Sequence, residues 1–151
     1  MRRVTPAERW IRWLRWCAAA CFVAAWFLPV AAAVPGWMAF RYAFAPLWPY
    51  GPNGADANIE DAAPHVLSAL TNGVFVVMFA QLVADRVPRP GLWLRVAIAC
   101  FVIDLYWFVQ MLRDDDDRSL GIGYYVWLAA FAQLAIIGAL LVRGPRGAAR
   151  A

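Results

Sequence analysis

The sequence predicts an all-α integral membrane protein, a four-helix bundle with an external loop of about thirty residues between helices one and two. Three observations lead there. Apolar residues make up 64% of the chain and charged residues only 16%, far from the balance of a water-soluble domain. Four apolar stretches, at 16–34, 66–84, 92–112 and 122–142, each approach the roughly 20 helical residues that cross a hydrocarbon layer. None alternates like a barrel strand, and unpaired backbone is not tolerated against lipid. The third observation is the distribution of the basic residues, all of them arginine.

The first stretch is preceded by Arg9, Trp10, Arg12, Trp13, Arg15 and Trp16, two residue types interleaved at a spacing of three. On a helix they form adjacent stripes, indoles at headgroup depth and guanidinium groups on the phosphates, which makes an interfacial anchor. Pro29 is tolerated in a membrane helix whose neighbours cover the freed carbonyl. The small residues Ala31, Ala32 and Ala33 after an apolar run also fit a cleaved N-terminal signal, which would leave three spans.

The external loop at 35–65 opens with an aromatic segment from Gly36 to Ala45 that suits a short interfacial helix. Turn residues follow: Pro46, Pro49, Pro52 and Asn53 with Gly54. Asp61 and Pro64 read as start signals for helix two. Between helices three and four, four aspartates at 114–117 lie between Arg113 and Arg118, a solvated cap without calcium-loop spacing. Gly121, Gly123, Tyr124, Tyr125 and Trp127 mark the interface where helix four begins.

Orientation follows from the arginines. Eleven fall before the first stretch, around the second connection or after the last stretch, against Arg41, Arg113 and Arg118 on the other side. The positive-inside rule places both termini in the cytoplasm of a bacterial inner membrane. The net charge of +4 is explained by that placement, and the lipid bilayer is the expected partner, with no nucleic acid.

Within the spans the outstanding residue is Asp104, since an acid at membrane depth is expensive. Asn72 is expected at a similar depth, and it shares a helix face with Ser68, so Asp104, Asn72 and Ser68 form a candidate polar site. Either Asp104 takes up and releases a proton or cation during transport, or it ties helices together through hydrogen bonds. A proton path needs several ionisable groups in series and the chain offers one, which favours the tie. Gln133 is expected to hydrogen-bond across the bundle.

Cys17, Cys21 and Cys100 lie in the spans and imply no disulfide framework. Cys17, Cys21 and Ala25 make a small-residue stripe, repeated by Ala135 and Ala139 in helix four. His65 is the single histidine, placed at the outer end of helix two. No metal, cofactor or catalytic residue is expected, because no nucleophile has a base beside it.

The stretches from Phe27 to Pro29, Gly36 with Trp37, Thr71 with Asn72, and Gly121 to Leu128 resemble those of a loose group of small uncharacterised bacterial four-span membrane proteins. That resemblance implies the topology and lends no activity. The functional expectation is an accessory protein, not an enzyme, docking a protein partner or a second copy of itself through the external loop and helix faces. The alternative is a small proton- or cation-coupled transporter centred on Asp104.

Overall fold

The computed structural model describes residues 6–31, 33–45, 59–113 and 120–143. In chain order its elements are α1 (Pro6–Phe27), β1 (Pro29–Ala31), β2 (Val34–Pro35), α2 (Gly36–Ala43), α3 (Ile59–Val83), α4 (Pro90–Arg113) and α5 (Ile122–Arg143). Residues 46–58 and 114–119, which include the turn residues and the aspartate run, lie outside the described set.

Three helical segments are long and apolar enough to cross a membrane: Ala63–Val83, Pro90–Gln110 and Ile122–Arg143. Their outward faces carry Leu67, Leu70, Val76, Val77, Leu92, Ile98, Val102 and Ile136, all exposed. A helix that is apolar on its solvent side as well as its packed side belongs in lipid. Inside, the Phe75 ring of α3 stacks on Phe22 of α1 at 4.0 Å and meets Phe131 of α5 edge-on at 5.3 Å. Phe131, Leu134 and Ile137 of α5 are fully buried in this core.

Helix α1 departs from the sequence expectation at both ends. It starts at Pro6 and stops at Phe27, so the last part of the 16–34 stretch is not helical. Proline disfavours helical backbone in the residue before it and cannot donate its own nitrogen, and Pro29 stands at this break. The chain then turns back as an antiparallel hairpin in which Pro29 faces Pro35 and Ala31 faces Val34. Its carbonyls find partners elsewhere: Gly36 N–H donates to Leu28 O and Gly121 N–H donates to Val30 O, both at 3.1 Å. Non-helical backbone of this kind persists beside lipid only when protein covers it.

Glycine makes that cover possible. A Cβ at Gly121 would collide with the carbonyl oxygen of Pro29, and one at Gly36 with that of Ala25. The hairpin therefore lies directly against the first turn of α5 and the last turn of α1, where no other residue fits.

The other end of the bundle has its own devices. Helix α3 ends with Asp85 in the left-handed region (φ 52°), Arg86 N–H donating to Gln81 O at 2.9 Å and Asp85 N–H to Leu82 O at 3.3 Å. That is a Schellman closure with aspartate in place of glycine. Arg15 Nη1 adds a hydrogen bond to the same Leu82 carbonyl at 3.0 Å, a cation at the negative end of the helix dipole. Pro64 lies inside α3 and not at its start. It is near enough to the first turn that only the bond to the Glu60 carbonyl is lost.

The small-residue stripe is also shifted. Ala18, Phe22 and Ala25 are buried, whereas Cys17 is exposed and Cys21 half-buried, and all three thiols are free. On α5 it is Gly138 that allows close approach: a Cβ there would meet Leu94 and Trp93 of α4 at 3.1 Å.

Candidate functional site

Asp104 is fully buried in α4, about 9 Å from the Gln110 end of the apolar segment at 1.5 Å per residue. Its Oδ1 accepts from Ser68 Oγ at 3.3 Å and, at 3.2 Å, shares the single Thr71 hydroxyl proton with the Ser68 carbonyl, which lies at 2.5 Å. Its main-chain carbonyl accepts from the Tyr124 hydroxyl at 2.6 Å. One residue thus joins α3, α4 and α5, with donors from two of those helices on the third. Its second carboxyl oxygen, Oδ2, is buried and has no hydrogen-bond partner among the described residues.

Ser68 and Asp104 are brought together, whereas Asn72, the residue matched to Asp104 by depth, is not bonded to them. Asn72 accepts from Trp127 Nε1 at 3.0 Å and donates to Ala69 O at 3.1 Å. Ser68 and Thr71 are three apart, so one helix face presents both hydroxyls to α4, and Asn72 at the next position is rotated toward α5. The signal for Thr71 was that spacing. The signal for Tyr124 was weaker, since an aromatic at a helix start reads as an interfacial residue, yet it is buried.

Gln133 belongs to a different part of the bundle. Its amide nitrogen lies 3.6 Å from Cys21 Sγ, a weak acceptor, and its oxygen is buried without a partner among the described residues. Of the anchor residues, Trp10, Trp13 and Trp16 are exposed, as are Arg9 and Arg12. Arg15 is turned inward onto Leu82, with its guanidinium 5.4 Å from the Trp16 ring centre. It serves the helix end more than the lipid headgroups.

Beside the Asp104 cluster is a partly open cavity of about 160 Å³. Helix α2 covers it with Gly36, Ala39, Phe40 and Ala43, which follow the 3.6-residue repeat of one helix face. The aromatic segment predicted to form a short helix does so, with Trp37 and Tyr42 on its exposed side. Trp26, Trp107 and Trp127 form walls, and Ser68, Asn72 and Tyr124 supply polar atoms. His65 reaches the rim, its ring 4.3 Å from that of Trp107, whose Nε1 donates to Pro64 O at 3.0 Å.

No protein-family model, curated protein or solved structure matches the chain. The functional reading therefore rests on the geometry of this site.

Proposed function

We propose that the chain crosses the bacterial inner membrane four times, with both termini in the cytoplasm, and acts as a binding protein that holds a small molecule beneath α2 on the external side. The observation that carries this reading is the 160 Å³ cavity, walled by tryptophan and furnished with a few polar atoms in the manner of ligand sites. Docking of a partner protein through the external loop would involve residues 46–58, which lie outside the described residues.

The fourth crossing is α1 followed by the hairpin. The arginine-free stretch 16–27 is about 18 Å long as a helix, short of a 30 Å hydrocarbon layer. The hairpin and α2 fill the rest of the depth, and burial of Ala18, Phe22 and Ala25 seats α1 against the other helices. Arg86, Arg89, Arg95 and Arg143 at the opposite end from the cavity support the cytoplasmic assignment of that end. Asp104 acts as a tie among helices, engaged by Ser68 and Thr71.

The test is thermal unfolding of the chain in nanodiscs with a panel of ring-sized compounds. Ala39→Phe and, independently, Ala43→Leu fill the cavity from α2. A compound at a hundred times its Kd should stabilise the native chain by about 2.7 kcal/mol and the filled variants far less. Equal stabilisation of all three proteins, or none by any compound, overturns the reading.

A further inference from the structure

We infer that the end of the bundle remote from the cavity binds anionic phospholipid in preference to zwitterionic phospholipid. The inference goes beyond the cavity and needs only that α3, α4 and α5 cross the membrane. Its ground is a surface assembled from three parts of the chain. On α1, Arg9, Arg12, Trp13 and Trp16 share one exposed helix face, about 10 Å long. Ile11, Leu14 and Ala18 hold the opposite face against the core. Two contacts seat this stretch on the end of α3: Arg15 Nη1 on the Leu82 carbonyl at 3.0 Å, and the Trp16 ring edge-on to Phe79 at 6.0 Å. The connection from α3 to α4 presents Arg86 and Arg89 beside it, both exposed. Close approach of Gly138 to Leu94 brings the last turns of α5, with exposed Arg143, to the same end.

Two properties of that surface decide its occupant. The acids described at this end are Glu8 and Asp85, so positive charge is in excess. An arginine–phosphate contact by itself is open to any phospholipid. A zwitterionic headgroup, however, brings its own ammonium into that field and is repelled by it, whereas an anionic headgroup is not. At a membrane face each such arginine strengthens binding to anionic lipid about fivefold. The second property comes from the indoles. Exposed tryptophan interleaved with arginine belongs at headgroup depth, which sets this face on the lipid surface and not in the water where nucleic acid or an acidic protein would reach it.

Native mass spectrometry of the full chain in mild detergent, titrated with dioleoyl phosphatidylglycerol and with dioleoyl phosphatidylcholine, tests this. Phosphatidylglycerol should bind the native chain at least about fivefold more tightly than phosphatidylcholine. The double variant Arg9→Gln with Arg12→Gln should cut that preference to about twofold or less, and so, separately, should Arg86→Gln with Arg89→Gln. Arg41→Gln with Arg113→Gln removes the same charge at the opposite end and should leave the preference unchanged. Every one of these arginines is exposed, so the variants should keep the native unfolding midpoint. Equal affinity of the native chain for the two lipids makes the surface a general anchor and overturns the inference. A preference that survives either pair at this end overturns it too, as does one lost equally in the opposite-end pair, which would be an effect of net charge alone. None of these outcomes bears on the cavity.

Discussion

Replacing Asp104 with alanine removes the oxygen that accepts from Ser68 and Thr71. Hydrogen bonds between membrane helices average about 0.6 kcal/mol, so these two, with the Thr71 proton shared with Ser68 O, are worth about 1 kcal/mol together. The carboxyl group is fully buried, and the void left behind adds about 1 kcal/mol. Asp104→Ala should therefore lower stability by about 2 kcal/mol. Asp104→Asn keeps the volume and keeps an oxygen where Oδ1 accepts both hydroxyls. Its amide nitrogen takes the place of Oδ2, which has no partner among the described residues. That variant should stay within about 0.5 kcal/mol of the native chain. The assay is denaturation in mixed micelles followed by tryptophan fluorescence. If asparagine costs as much as alanine, the carboxyl group contributes through its proton or charge and the tie is the wrong account. If alanine costs nothing, Asp104 holds no helices together.

Two more outcomes follow from the packing. Gly121→Ala places a methyl group against the Pro29 carbonyl, with backbone on both sides and no flexible side chain to yield. It should cost about 1–3 kcal/mol in the same assay, and an unchanged midpoint would show that the hairpin is not seated on α5 as described. Gln133→Leu removes a buried amide whose oxygen has no partner, and whose nitrogen meets only a thiol, among the described residues. It should be neutral or stabilising by up to about 1 kcal/mol, and a clear loss of stability would reveal a partner for Gln133.

Much of the fold was legible because the requirement for apolar length is severe. Helices α3, α4 and α5 match the stretches 66–84, 92–112 and 122–142 to within a few residues, apart from the longer start of α3. The aromatic segment after Gly36 was legible for a similar reason, since a short aromatic helix suits an interface. The end of α1 was not. Pro29 reads as a tolerated kink until the contacts of Gly36 and Gly121 are known, and those contacts join residues far apart in sequence. At the site, depth counting matched Asp104 with Asn72, brought in Ser68 by its helix face, and passed over Thr71. A rotation of 100° between neighbouring helix positions decides which residue faces α4, and sequence alone does not fix the zero of that rotation. Tyr124 was hidden for another reason: its hydroxyl bonds a main-chain carbonyl, which leaves no mark in side-chain chemistry.

The position of the N-terminus tests the central claim of four crossings most directly. Three apolar helices alone would put the two termini on opposite sides of the membrane, and the fourth crossing proposed for α1 and its hairpin would return them to the same side. Split-reporter tags at both ends of one intact chain, each complemented only in the cytoplasm, should both give signal. A cytoplasmic C-terminus with an external or cleaved N-terminal tag would contradict the account.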